Sequence, residues 1–262
     1  MTLTQNARSS FVVARPSQLT MQVRRHILLI GTMIGLVAHE ARAVHAGFMR
    51  PNLNPADSTL TLCVGDALSY APAENDVSAF AIKAREGIRL FLAGEYQSAI
   101  DVLTAAIALE PNNALAYYHR GIAYQRLKAY PQALSDFTVV IDKGAPIDFA
   151  YLNRGAVRTK LGLMLEAESD FDAALKMEPT RPDTYFNRAL LFLKTNRGQQ
   201  AIDDITKGIG FNPKDAKAYF LRASALETFH RHSEARHDLD EALRLDPDLA
   251  PARELLKRLD HD

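Results

Sequence analysis

Written from Phe80 in steps of 34 residues, the chain lines up with itself over five registers without an insertion. A period of that length restricts the fold more than any other feature of the sequence. The eighth position reads Gly87, Gly121, Gly155, Ala189, Ala223, and the twentieth is Ala99, Ala133, Ala167, Ala201, Ala235. The twenty-fourth is bulky and apolar throughout, at Leu103, Phe137, Phe171, Ile205 and Leu239. The fourth is Tyr117, Tyr151, Tyr185 and Tyr219 in the last four registers. The thirty-second is Pro111, Pro179, Pro213 and Pro247, with Pro146 displaced by one in the second register.

Each register carries two stretches of apolar residues at helical spacing, broken near position fifteen and again at the proline. A hairpin of antiparallel helices turning near position fifteen brings position eight opposite position twenty. Small residues at both let the backbones approach, and the bulky residues at four and twenty-four fill the flanking space. Proline cannot continue the second helix and resets the chain for the next hairpin. One hairpin buries too little apolar surface to offset its ordering entropy, so the five must stack. After Pro247, Leu249, Ala252, Leu255, Leu256 and Leu259 form one stripe opposite Arg253, Glu254, Lys257 and Arg258. That pattern suits a helix that caps the stack and solvates its end.

This spacing resembles the tetratricopeptide repeat (TPR) family, over residues 80–260. The resemblance implies an all-α fold, a right-handed superhelix of antiparallel helix pairs. The expected repeats are 80–113, 114–147, 148–181, 182–215 and 216–247, with a capping helix over 248–262. Three positions depart from the family pattern. Arg158 stands at position eleven, where a bulky apolar residue is usual; Lys83 replaces the aromatic at position four; Gly208 replaces Ala at position twenty-seven.

Position seven, usually Leu in the family, is Arg120, Arg154, Arg188 and Arg222, and position twenty-three in the same repeats is Asp136, Asp170, Asp204 and Asp238. In the first repeat both change together, to Glu86 and Val102. Charges at a packing position read as pairing between helices, within one repeat or with a neighbour, sooner than as a binding face.

The family resemblance places a concave groove along positions two, five, six, nine and thirteen of each first helix. Position six reads Arg85, His119, Asn153, Asn187, Leu221; position five offers Tyr118, Phe186 and Phe220; position thirteen offers Arg126, Lys160 and Lys194. An Asn side chain presents a donor and an acceptor together, which suits a peptide backbone. The aromatic residues suit apolar side chains of a bound segment, and the basic row suits acidic ones. His119, Asn153, Asn187, Tyr118, Phe186, Phe220, Arg126, Lys160 and Lys194 are therefore the candidate peptide-binding residues, with the two Asn expected to face solvent. Family members that grip a C-terminal carboxylate use Lys and Asn at positions five and nine of their first repeat. Ala84 and Ile88 stand there, against that mode.

The ends and the composition narrow the function further. Residues 1–43 hold five Arg and one Glu, with Arg24-Arg25 ahead of an apolar run from Ile27 to Ala38 and then Ala41-Arg42-Ala43. A basic stub, a short apolar run and an A-x-A site are the parts of an export signal. The run is shorter than the roughly 20 residues that span a bilayer, so no stable membrane anchor is expected after cleavage. Met21 is an alternative start, and export to a bacterial periplasm is the expected localisation. A mitochondrial leader or an uncleaved membrane tether is the rival. Residues 44–79, with Pro51, Pro55 and Pro72, read as a linker or irregular segment.

The whole chain has formal charge zero, which argues against a nucleic-acid partner. A single cysteine, Cys63, rules out an intrachain disulfide or thiolate cluster. His230, His232 and His237 cluster without an i, i+4 pair on a helix face, so neither a metal site nor a cofactor is expected. No phosphate loop, nucleophile elbow or paired-carboxylate motif occurs, and no enzymatic activity is expected. The expected function is a non-catalytic adaptor or scaffold for a protein partner. The alternatives are an assembly chaperone or auxiliary subunit of an envelope complex and, less favoured, a metal-responsive module.

Overall fold

The computed structural model describes residues 71–261 apart from Glu74, Pro146 and Asp148. The expected leader, its cleavage site and Cys63 lie outside the described residues. Within them the chain is all helical, with no strand. Ten helices form consecutive antiparallel pairs: α1 Ala79–Leu92 with α2 Tyr96–Leu109, α3 Ala114–Arg126 with α4 Tyr130–Asp142, α5 Phe149–Leu161 with α6 Met164–Met177, α7 Pro182–Lys194 with α8 Gly198–Phe211, and α9 Ala216–Thr228 with α10 His232–Leu245. An eleventh, α11 Ala250–His261, follows them. No helix among the described residues is long and apolar enough to cross a membrane.

Local chemistry sets where the helices begin and end. The side chains of Ser78, Asn113 and Asp215 accept from the backbone N–H of Ala81, Leu115 and Lys217, which caps α1, α3 and α9. Inside every hairpin, position fifteen turns the chain with a positive φ: Gly94 at 82°, Lys128 at 59°, Gly162 at 81°, Asn196 at 58° and His230 at 57°. Glycine and asparagine adopt this conformation readily, whereas Lys128 and His230 do so at some cost. Between hairpins, the residues closing α2, α6, α8 and α10 are extended, with φ from −133° to −135°. The α4–α5 junction differs: Lys143 stays helical and Gly144 turns left-handed at φ 62°. This is the repeat whose proline sits one residue late.

Close approach within each hairpin is enforced by position eight. A Cβ on Gly87 would stand 2.6 Å from Leu103, one on Gly121 2.9 Å from Phe137, and one on Gly155 2.8 Å from Phe171. The space belongs to the position twenty-four side chain first. Position twenty lies close behind, since the Gly155 Cβ would also stand 3.2 Å from the Ala167 carbonyl oxygen. All five alanines at position twenty are fully buried. Position three is buried at Ala116, Ala150, Thr184 and Ala218, but Ile82 in α1 is 53% exposed. That contrast fits a first helix with no hairpin before it among the described residues. At the other end, α11 buries Ala252, Leu255 and Leu259 while Arg253, Glu254, Lys257 and Arg258 face solvent. One face continues the core and the other is hydrated, so the stack stops without exposing an apolar layer.

Candidate peptide-binding groove

The first helix of each hairpin carries the candidate row. Their shared register sets positions five and six side by side and position thirteen about two turns further along α1, α3, α5, α7 and α9. Tyr118 is fully buried, Phe186 and Phe220 nearly so, and His119 packs its ring 5.4 Å from Tyr118 in an edge-on arrangement. Asn153 donates from Nδ2 to the Tyr118 hydroxyl at 3.3 Å, joining position six of one repeat to position five of the one before. Asn187 donates from Nδ2 to the Asp183 carbonyl at 2.8 Å, one turn back in its own helix.

Contrary to expectation, these asparagines do not face solvent. Asn153 is 3% exposed and Asn187 1%, while His119 is 2% exposed. Tyr118, Phe186 and Phe220 belong to the continuous apolar core. The side chains of Tyr118, His119, Asn153, Phe186, Asn187 and Phe220 are therefore part of the packing. Gly208 shows how tightly: a Cβ there would lie 2.3 Å from the Phe186 ring, so the missing methyl makes room for the aromatic. Of the candidates, only the position thirteen cations reach outward. Lys194 is exposed, and Arg126 and Lys160 are half-buried, with the Arg126 guanidinium 6.0 Å from the Phe91 ring centre.

Arg85, the first member of the position six row, has a role that the sequence did not reveal. Its guanidinium donates from Nη1 to the Ala73 carbonyl and from Nη2 to the Asp76 carbonyl, each at 2.6 Å. Ala73 and Asp76 close a turn, in which the Asp76 N–H donates to the Ala73 oxygen at 3.0 Å. A position six side chain thus holds two backbone carbonyls of a non-helical segment. The available signal was a five-donor guanidinium where later repeats place shorter side chains.

The charges at seven and twenty-three are internal struts. Arg120 grips Asp136, Arg154 grips Asp170, Arg188 grips Asp204 and Arg222 grips Asp238, each within its own hairpin and through two nitrogens. The four Asp side chains are 3–4% exposed. Three of the arginines also reach the preceding hairpin, where Arg120 and Arg222 donate to Thr104 and Thr206 and Arg188 pairs with Asp172. Asp170 is held by a second arginine, Arg158, at 2.7 Å. Arg158 is the residue that breaks the family pattern at position eleven, and this contact occupies it.

Electrostatics follow from this geometry. Hydrogen bonds to Asp136 and Asp238 raise the Arg120 and Arg222 guanidinium pKa values, against burial. For Arg188, burial is the largest influence and lowers the pKa, but Asp204 and Asp172 together outweigh it, so the net shift is upward. These guanidinium groups stay charged and serve packing. The His230 and His232 rings stand 5.8 Å apart, and no set of three or more His, Cys, Asp or Glu converges among the described residues.

Comparison with known proteins agrees with this architecture. A TPR repeat model matches residues 87–128 and a tetratricopeptide repeat model matches residues 186–250. Serine/threonine-protein phosphatase 5 from Rattus norvegicus is 32% identical over 87 residues, which is 33% of this chain and 17% of the phosphatase. The chain therefore spans less than a fifth of that relative. Among solved structures, Pseudomonas aeruginosa PilF superposes with TM-score 0.62 at 18% identity, covering 70% of this chain and 83% of PilF. MamA from Desulfovibrio magneticus gives 0.60 at 19%, covering 66% and 99%. YrrB, described as a TPR protein with an unusual peptide-binding site, gives 0.56 at 19%, covering 70% and 100%. At these identities the structural likeness speaks for the fold. Tetratricopeptide repeats, which generally mediate contact between proteins, are present in this chain.

Proposed function

We propose that this protein is a non-catalytic adaptor that holds a segment of a protein partner along the inner row of its first helices. The observation that carries the reading is Arg85, a position six side chain donating to two peptide carbonyls of a non-helical segment at 2.6 Å each. In the later repeats His119, Asn153 and Asn187 are buried, and the face is offered outward by the position thirteen cations Arg126, Lys160 and Lys194. A regular stack copies such a set at even spacing, which suits repeated contacts with one extended chain. The solved structure of YrrB, a TPR protein with a peptide-binding site, offers a precedent for that use of the fold. The basic–apolar–small-residue order of residues 1–43 supports work in the periplasm after export.

The test is affinity capture of a partner with the purified chain, followed by calorimetry against Lys160→Glu with Lys194→Glu. Both side chains lie outside the core, so the fold is expected to survive. Partner affinity should fall about ten-fold and lose its salt dependence, because the two cations steer an acidic segment. Unchanged affinity with an intact far-ultraviolet spectrum would move the partner off this row.

A further inference from the structure

We infer that the edge of the stack formed by the turns inside the hairpins docks reversibly on an anionic bilayer surface, leucines entering the headgroup boundary and cations meeting the phosphates. Such docking goes beyond the adaptor role proposed above. Antiparallel pairing puts every turn inside a hairpin on one edge of the stack and every connection between hairpins on the other. Neighbouring turns lie side by side. The Arg126 guanidinium is 6.0 Å from the Phe91 ring centre, Arg197 pairs with Glu168 at 2.8 Å, and Arg231 donates to Gln199 at 3.3 Å.

Charge separates the two edges. The inner turns of the last four hairpins, residues 126–131, 160–165, 194–199 and 228–233, hold Arg126, Lys128, Lys160, Lys194, Arg197 and Arg231 and no Asp or Glu. The connections at 108–113, 142–147, 176–181, 210–215 and 244–249 mix acids and cations in near balance. Arg197 and Arg231 are met by Glu168 and Glu234, and the first turn carries Glu95. The exposed surplus is therefore carried by Lys128 and Lys194, with Arg126 and Lys160 half-buried beside them. Apolar side chains stand among these cations. Leu127, Leu161, Leu163 and Leu165 are exposed on two adjacent turns, Leu165 by 82%. Its position is Gln97, Pro131, Gln199 or Ser233 in the other repeats, so the fold does not require a leucine there. Glu166 follows directly and bounds the surface on that side.

Leucine with lysine favours a bilayer over an acidic protein. Lysine is depleted at the centre of protein interfaces, and leucine is under-represented among their anchors. At a bilayer, leucines bury in the acyl boundary while flexible lysine stems carry their charge up to the phosphates. Several such contacts give a weak surface attachment that needs no spanning helix. An adaptor docked this way holds its partner at the membrane.

Cys63 is the chain's single cysteine, so Cys63→Ser allows one thiol label to be placed at will. In the full chain, a nitrobenzoxadiazole fluorophore is attached at Leu165→Cys or, on the opposite edge, at Lys214→Cys; both native side chains are exposed. Vesicles are phosphatidylcholine alone, or phosphatidylcholine mixed with phosphatidylglycerol. Emission from the Leu165 site should shift to the blue on the mixed vesicles and not on the neutral ones, while the Lys214 site stays in water. Any contribution from the apolar run Ile27 to Ala38 is common to both labelled chains. Lys128→Glu should weaken the binding about ten-fold or more, because one cation near such a surface is worth roughly five-fold. A Lys214 site that shifts as far as the Leu165 site, an equal response to neutral vesicles, or unchanged affinity in Lys128→Glu would overturn the inference. A Leu165 site that responds to soluble polyglutamate and not to vesicles would make this edge a seat for an acidic protein and overturn it equally. The partner test at Lys160 and Lys194 leaves Leu165 and Lys128 untouched, so either proposal can fail with the other intact.

Discussion

The ring of Phe229 stands where a side chain on Gly198 would be, with ring atoms 1.9 Å from the place of a Cβ. Gly198 opens α8, at position seventeen of its repeat, and Phe229 follows α9 in the next repeat at position fourteen. Elsewhere position seventeen is Tyr96, Tyr130, Met164 or His232, and position fourteen is Ala93, Leu127, Leu161 or Thr195. Bulk has moved from one side of the junction to the other. Gly198→Ala is expected to destabilise by about 1–3 kcal/mol, the usual cost of overpacking, and adding Phe229→Leu should recover most of it. Denaturant melts of the two single variants and the double variant measure the coupling; simple additivity would refute the exchange.

Two glycines of α8 should respond in opposite directions. Gly208 faces the Phe186 ring at 2.3 Å, whereas nothing lies within 4 Å of a Cβ on Gly210. Gly208→Ala should therefore cost about 1–3 kcal/mol. Gly210→Ala should gain about 0.5–1 kcal/mol by removing backbone freedom from the unfolded chain. Thermal melts of both are sufficient, and a stabilising Gly208→Ala would mean that Phe186 has another place to go.

The arginine struts differ in redundancy. Asp238 accepts from Arg222 with both oxygens, while Asp170 is shared by Arg154 and Arg158. Removing one partner of a buried pair strands a charge at a cost of about 3–5 kcal/mol, so Arg222→Leu should lose that much. Arg154→Leu should lose clearly less, because Arg158 still holds Asp170. Arg222→Leu combined with Asp238→Leu should recover much of the loss, since no charge is then left buried. Equal losses for Arg154→Leu and Arg222→Leu in chemical denaturation would contradict the sharing of Asp170.

Asn153→Ala should not be neutral. Its amide is buried and bonded to the Tyr118 hydroxyl, so truncation is expected to cost about 1–2 kcal/mol of stability. Tyr118→Phe removes the same bond, and the double variant should lose less than the two singles together. Any binding defect of Asn153→Ala must then be read beside its melting curve, which is why the lysines are the better probes of the groove.

Export, if it occurs, leaves a defined end. N-terminal sequencing of the protein from fractionated cells should find the chain starting just after Ala43 or Ala46, where small residues follow the apolar run. An intact start at Met1 or Met21 in the cytosolic fraction would refute the leader.

The helical class was legible because it follows from relations between residues close in the chain. A 34-residue period with small residues at eight and twenty, a bulky one at twenty-four and a proline near the end admits helix pairs that stack and little else. The Arg–Asp struts were legible for the same reason. Positions seven and twenty-three face each other across a short hairpin, although the pattern alone left open whether each Arg chose its own repeat or a neighbour. Tertiary structure settled that choice, with the 16-residue separation of Arg222 and Asp238 recurring in all four pairs. The solvent exposure of Asn153 and Asn187 was read wrongly. Helical register says which way a side chain points from its own axis, but burial depends on how closely the next helix and the rest of the chain approach. The same limit hid the Phe229–Gly198 exchange and the grip of Arg85 on Ala73 and Asp76. Those contacts join separate elements or reach into an irregular segment, and no periodicity marks them.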